Sequence, residues 1–126
     1  MVFLDTNYLV RFFTKDVEKQ AREAQKVIEN EKIYIAEIVL AETVYILETH
    51  YEAKKEDVCD KLFSFLNQPN VYTFSFAGLA LEIYKNENIS FYDSLLVSQA
   101  KDKKGKLKTF DEKLAKVFST LEESRH

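Results

Sequence analysis

Short apolar runs separated by segments of helical length are the feature that most limits how this chain can fold. Residues 2–4, 33–35, 71–74 and 107–110 are predicted strands; the first two runs are wholly apolar, and the last two carry one and two polar residues among apolar ones. The segments between them carry apolar residues at the spacing of helices. Strands that alternate with helices are typical of an α/β domain with a parallel sheet. Gly 2 and Pro 1 are too few for an all-β chain rich in tight turns.

The helical pattern continues through most of the remaining chain, with Asp16 as a candidate N-cap and Pro69 ending one segment. We predict helices over residues 8–13, 16–31, 38–51, 55–67, 77–86, 90–101 and 112–118. No repeat or linker interrupts this order, so we expect one domain over residues 1–119 and a polar tail over 120–126.

Composition excludes several functional classes. The chain has 126 residues and a net charge of −3, so no overall basic surface marks it as a nucleic-acid binder. Cys59 is alone, which excludes a disulfide framework, and the two histidines are too few for a structural zinc site. No run approaches the roughly 20 apolar residues that span a bilayer. We therefore expect a cytoplasmic protein.

Two acids directly follow apolar strand segments. Asp5 comes after the first strand and Asp111 after the fourth. Ligands of open parallel sheets bind at the carboxyl ends of the strands, so acids at these points are placed for chemistry. The alternative is that each acid caps the helix that follows, Asp5 together with Thr6.

Two further acids lie on predicted helices beside apolar residues. The positions three and four away from Glu42 are all apolar, so its carboxylate is predicted to project from an apolar face. A buried carboxylate needs a partner, which is either a metal or a side chain such as Arg11. Asp93 also shares its side of the helix with apolar residues, although a capping box with Ser90 explains it as well.

The two strand ends and the two helix starts converge on one edge of a doubly wound sheet. Carboxylates gathered there repel one another unless a cation holds them. Hard divalent ions such as Mg²⁺ and Mn²⁺ match oxygen ligands. The natural chemistry of such a site is metal-assisted attack of water on a phosphodiester.

The ordered motifs resemble those of PIN-domain ribonucleases, in particular the single-domain VapC-type toxins of toxin–antitoxin pairs. The resemblance extends from Val2 to about Phe118. The motifs are Leu4-Asp5-Thr6-Asn7, Ala41-Glu42, Phe91-Tyr92-Asp93-Ser94-Leu95-Leu96 and Thr109-Phe110-Asp111.

This resemblance implies a three-layer α/β/α fold with a central parallel sheet of four to five short strands. It implies an endoribonuclease that depends on Mg²⁺, or on Mn²⁺ in its place. Asp5 and Asp93 would be the primary metal ligands, and Glu42 and Asp111 would complete the catalytic pocket. Family members usually form homodimers and are silenced by an antitoxin protein.

Supporting roles follow from the same resemblance. Asn7, Thr109 and Thr6 would orient carboxylates or water, and Arg11 would contact substrate phosphate unless it only pairs with Glu42. A lysine-rich turn over residues 101–108 either gathers RNA phosphates or only solubilises the chain; its candidates for RNA contact are Lys103, Lys104 and Lys106. The alternative function is a catalytically silent adaptor of the same fold that acts through protein contacts.

Overall fold

A computed structural model describes residues 1–123, which form three strands and seven helices. In chain order these are β1 (Val2–Phe3), α1 (Thr6–Thr14), α2 (Glu18–Asn30), β2 (Ile33–Ile35), α3 (Glu37–Thr49), α4 (Lys55–Leu66), β3 (Val71–Thr73), α5 (Ala77–Asn86), α6 (Phe91–Asp102) and α7 (Glu112–Glu123). They divide into two compact units, the first ending at Phe74 and the second starting at Ser75. None of the helices in the described range is long and apolar enough to cross a membrane.

The first unit is built on a parallel sheet in the order β1-β2-β3. Val2 pairs with Ile33, and Ile33 in turn pairs with Val71. Two helices connect each strand to the next, as parallel pairing requires, because the chain must return to the same end of the sheet. The predicted parallel sheet with flanking helices is confirmed.

Large apolar side chains from both the sheet and the helices fill the core of the first unit. The fully buried ones include Leu9, Val10, Ile28, Ile33, Ile35, Leu40, Val44, Val58, Leu62 and Phe65. Each contributes roughly 1.5–3 kcal/mol by leaving water. The strands are only two or three residues long, so this packing rather than the ladder itself holds the sheet together.

The second unit contains α5, α6 and α7. Its core cluster consists of Ile83, Val97, Leu114 and Val117. The Tyr84 and Phe91 rings meet edge to face, with centroids 5.4 Å apart, and tie α5 to the start of α6. Within the described residues this unit has no strand, and its core lies between helices.

The predicted fourth strand does not form. Residues 107–110 lack regular structure, so the sheet within residues 1–123 has three strands rather than four to five. Leu107 packs on the core of the second unit, while Lys106, Lys108 and Phe110 are exposed. A single inward apolar side chain buries too little surface to hold this segment as a strand. The sequence was misleading here because Phe110, the other large apolar residue of the segment, faces solvent.

Most helix ends differ from the predictions by one or two residues, and two of the differences change a specific prediction. The N-cap of α2 is Val17 and not Asp16, which makes side-chain contacts instead. Helix α7 continues to Glu123, so residues 120–123 of the predicted tail are helical, and residues 124–126 lie outside the described range. The domain boundaries 1–119 and 120–126 stay predictions.

Candidate active site

Asp5 lies directly after β1 and caps α1. Its Oδ1 accepts a hydrogen bond from the backbone N–H of Tyr8 at 2.9 Å. The capping alternative for Asp5 is therefore real, but the side chain also stays exposed. A capping oxygen satisfies one orphan N–H of the helix and leaves the second carboxylate oxygen for another partner. Thr6 is half-buried as the first residue of α1.

A pocket opens beside Asp5 on the first unit. Its lining residues are Asp5, Asn7, Tyr8, Arg11, Gln20 and Glu23. The Tyr8 hydroxyl donates to Glu23 Oε2 at 2.6 Å. This hydrogen bond, with smaller effects of burial and of the Glu23 and Asp5 charges, raises the pKa of Tyr8, so the hydroxyl stays protonated. Glu23 is an exposed residue of α2, and nothing in the sequence pattern signals its bond to a residue fifteen positions earlier.

Arg11 is held from several sides at the rim of this pocket. Its Nε donates to Gln20 Oε1 at 3.0 Å, and its Nη1 lies 3.3 Å from the Tyr51 hydroxyl and 3.4 Å from Asp16 Oδ1. Within residues 1–123 its ion-pair partner is Asp16, so the alternative in which Arg11 pairs with Glu42 is not observed. The guanidinium is positioned by its neighbours, which leaves its role toward a substrate phosphate open to test.

Asp16 is the centre of this network. It accepts from the Tyr51 hydroxyl at 2.5 Å and from the Thr14 hydroxyl at 2.8 Å. These two hydrogen bonds, helped by the charge of Arg11, lower the pKa of Asp16 against a small opposing effect of burial. The carboxylate therefore contributes stability that is fully present above the ordinary pKa of 3.8 and is lost as the pH falls through the lower folded pKa.

Tyr51→Phe is expected to raise the pKa of Asp16 toward its ordinary value, because the strongest donor to the carboxylate is removed. An NMR titration of the Asp16 carboxyl carbon measures this directly. Tyr72→Phe, at another exposed tyrosine, serves as the control and should leave the titration unchanged. An unaltered Asp16 titration in Tyr51→Phe would contradict the assignment.

Glu42 lies on an exposed face of α3. Its neighbours Ile38 and Tyr45 are 62% and 51% exposed, and Glu42 itself is exposed. The neighbours are apolar as predicted, but the predicted burial of this carboxylate is wrong. Helix α3 is apolar around most of its circumference, so its sequence does not mark which side faces the core. Exposure removes the burial argument for a metal but leaves the carboxylate accessible to one.

Asp93 stands in the first turn of α6 without capping it. The cap is Ser90, whose Oγ accepts from the Asp93 backbone N–H at 3.1 Å. Among the described residues only the serine half of the predicted capping box forms, and the carboxylate of half-buried Asp93 is not the capping group. An acid in a first helical turn is favoured by the helix dipole.

Asp111 begins α7. Its Oδ1 accepts from the backbone N–H groups of Lys113 and Leu114, at 3.0 and 3.1 Å. Thr109 Oγ1 in turn accepts from the backbone N–H of Asp111 at 3.0 Å. Thr109 therefore orients Asp111 through the main chain rather than through its carboxylate, and the acid is both exposed and fixed in place.

The lysine-rich turn is divided between packing and solvent. Lys103, Lys104 and Lys106 are exposed, but Lys101 is buried. Its ammonium donates to the Phe118 carbonyl oxygen at 3.2 Å, pairs with Glu122 and lies 4.1 Å from the centre of the Phe118 ring. Lys101 thus anchors α7 and is not part of a phosphate-binding surface.

The donor set suits a hard divalent ion, because the candidates Asp5, Glu42, Asp93 and Asp111 offer only carboxylate oxygens. Each is exposed or half-buried, so an ion can reach it. Taken by itself, neither unit holds, among residues 1–123, three or more His, Cys, Asp or Glu side chains grouped for a metal. The first unit provides two of the acids and the second unit the other two.

Comparison with known proteins identifies the family. The chain matches the PIN domain over residues 2–118, which is nearly its whole length. It belongs to the PIN-domain family. The three-layer α/β/α fold expected from the sequence is that of this family and is confirmed by the match.

Within this family, the chain is similar to one curated relative in particular. The chain is 32% identical over 107 residues to a VapC ribonuclease of Aquifex aeolicus (strain VF5), and the aligned part covers 80% of this chain and 79% of the relative. The resemblance to VapC-type members is thus confirmed along most of the PIN domain. No solved structure gives a significant match.

Proposed function

We propose that this PIN domain is an endoribonuclease that hydrolyses RNA phosphodiester bonds with a divalent metal, and that it is the toxin of a type II toxin–antitoxin pair. The observation that carries the proposal is the presence of all four acids, Asp5, Glu42, Asp93 and Asp111, at accessible positions of the family domain. Similarity to a VapC ribonuclease over four-fifths of the chain supports the RNA substrate.

Asp5 and Asp93 would hold Mg²⁺ or Mn²⁺, with Glu42 and Asp111 completing the ligand set. When bound, such an ion activates water and stabilises charge on the phosphate. Helix caps restrain two of these groups, since α1 holds Asp5 and α7 holds Asp111 by backbone hydrogen bonds. Such restraint reduces the reorganisation that metal binding and reaction would otherwise require.

The pocket residues would act on the substrate around this centre. Arg11, already oriented by Gln20 and Asp16, presents a fixed cation to a phosphate oxygen. Asn7 lines the same pocket as Asp5 and offers an amide to water or to the sugar–phosphate chain. We further expect a cognate antitoxin protein, a homodimer, and action in the cytoplasm, where buried Cys59 stays reduced.

Metal-dependent cleavage tests this proposal. Wild-type protein should cut a mixed pool of structured RNA with Mg²⁺ or Mn²⁺ and not with EDTA, and Asp93→Asn should lose cleavage by more than about 100-fold, since even partners behind metal ligands usually contribute 10- to 100-fold. Because Ser90 is the cap of α6, Asp93→Asn leaves that cap in place. Glu82→Gln, at an exposed acid on neighbouring α5, is the matched control.

Thermal melting of the same proteins tests metal binding independently of cleavage. A cation that binds only the folded state must raise the melting temperature, so Mn²⁺ should stabilise wild type and Glu82→Gln more than Asp93→Asn. Absence of both cleavage and a metal-dependent shift would reject the enzyme and favour the adaptor.

A further inference from the structure

Phe110 is exposed to an extent that packing does not explain. Phe110 is fully exposed, whereas Phe3, the next most exposed phenylalanine, is 67% exposed. Phe3 also has a partner, because its ring lies 5.0 Å from that of Tyr34. A fully hydrated phenylalanine contributes nothing to the stability of the second unit, and its apolar surface remains available to a ligand.

The backbone on both sides of Phe110 is fixed. On one side Leu107 packs against the core cluster of the second unit. On the other, the Asp111 backbone N–H donates to Thr109 Oγ1, and the Asp111 carboxylate caps α7. The ring is thus presented from a short segment held at both ends, so binding costs little chain entropy.

Exposure alternates along this segment. Lys106, Lys108 and Phe110 are exposed, whereas Leu107 and Thr109 are half-buried. Alternation of this kind places every second side chain on the outward side of the chain. Two ammonium groups therefore precede the aromatic ring on the solvent side of the segment, and Lys103 and Lys104 add two more positive charges just before it.

Cations beside a bare aromatic ring fit a polyanion whose planar groups are free to stack. Proteins that bind single strands of nucleic acid combine cations for the phosphates with aromatic rings for the bases. The bases of a duplex already stack on one another, so only an unpaired strand or a loop offers a free face. A protein partner fits less well, since charged residues are depleted from the cores of protein interfaces.

We propose that Phe110 is a substrate-positioning residue on which an unpaired RNA base stacks, while Lys106 and Lys108 hold the adjoining phosphates. The inference rests on the proposed ribonuclease function and adds to it a residue that positions the substrate. Because Phe110 is next to Asp111, a base held there places its phosphate near one of the four acids. The phenyl ring carries no hydrogen-bonding group, so this contact selects unpaired structure rather than a particular base.

Binding is measured in EDTA, where metal-dependent cleavage does not interfere, with a short unpaired oligoribonucleotide carrying 2-aminopurine. Phe110→Ala should weaken binding by about 5- to 150-fold, the range that stacking of one base spans. It should also abolish the quenching of 2-aminopurine fluorescence that stacking produces. Phe110→Tyr keeps a ring and should retain both properties, whereas Phe110→Leu keeps apolar bulk without a ring and should behave like Phe110→Ala.

The salt dependence of binding separates the contribution of the lysines from that of the Phe110 ring. Lys106→Gln and Lys108→Gln should each lower the slope of log affinity against log salt by about 0.7, the value for one phosphate contact on a single strand. Phe110→Ala should leave that slope unchanged. Phe3→Ala is the matched control at the other exposed phenylalanine and should keep wild-type affinity.

Several outcomes would overturn the inference. Wild-type affinity in Phe110→Ala, or full affinity in Phe110→Leu, would exclude base stacking. Equal affinity for a perfect duplex would exclude the unpaired substrate, and a Phe110→Ala defect confined to a purified protein partner would assign the ring to that partner. The two proposals can fail separately. If the wild type cleaves RNA and Phe110→Ala keeps wild-type RNA affinity, only this inference is rejected. If the wild type neither binds nor cleaves RNA, the proposed function is rejected with it.

Discussion

Asp5→Asn is expected to reduce RNA cleavage by more than about 100-fold while leaving the stability of the fold within about 0.5 kcal/mol. The reason is that Asp5 has two separable tasks. Its Oδ1 caps α1 through the Tyr8 N–H, and asparagine caps a helix about as well as aspartate does. The negative charge that would hold a divalent ion is lost, because an amide is a far weaker ligand for it.

Asp5→Ala separates these tasks further. It removes the cap as well as the charge, so it should lose cleavage equally and destabilise the protein by about 0.5–2 kcal/mol. Urea unfolding measures the stability of both variants, and Glu31→Gln, at an exposed acid of the same unit, is the control. Wild-type cleavage in Asp5→Asn would remove Asp5 from the catalytic group, and equal stability of the Asn and Ala variants would contradict the capping role.

Lys101→Ala is expected to lower the free energy of unfolding by about 2–4 kcal/mol. The substitution removes the aliphatic stem from a buried position, leaves the Phe118 carbonyl oxygen without its lysine donor and breaks the ion pair with Glu122. The estimate lies below the range for a fully buried pair because the Glu122 side chain is 53% exposed and can return to water. Lys101→Met keeps most of the stem and should be the milder change.

Urea unfolding of Lys101→Ala beside Lys103→Ala measures this difference. Lys103 is exposed two positions later on the same chain, so its loss should change stability by no more than about 0.5 kcal/mol. Equal stability of the two variants would show that Lys101 does not anchor α7. RNA affinity should have the same salt slope in Lys101→Met as in wild type, because the buried ammonium does not reach phosphate.

The local sequence pattern was sufficient to predict the bounds of those helices and strands that bury a well-defined face. Residues 33–35 and 77–86 were predicted with the bounds that β2 and α5 have. The parallel sheet also followed from sequence, since helices between successive strands leave parallel pairing as the natural solution. The strand predicted over residues 107–110 was wrong, because this run of four residues contains one inward side chain, Leu107, and two residues that face solvent, Lys108 and Phe110.

The environment of the candidate acids was likewise predicted correctly for some and wrongly for others. Asp5 and Asp111 were identified as acids that follow apolar segments and begin helices, and the capping geometry agrees. The predicted burial of Glu42 was wrong because a helix with apolar residues on nearly every side carries no signal for which side meets the core. Whether the four acids act together stays a prediction that the substitutions above test.

The sequence by itself determined the α/β class, the order of the seven helices and of the three strands that form, and the four acids with their family resemblance. Those properties depend on local periodicity and on residue type, which the chain carries in its own order. Tertiary structure alone decided that Lys101 is buried while its neighbouring lysines are exposed, that Glu23 bonds Tyr8, and that Phe110 stands in solvent. Each of these depends on contacts between residues distant in sequence, and no local pattern encodes which partners packing will bring together.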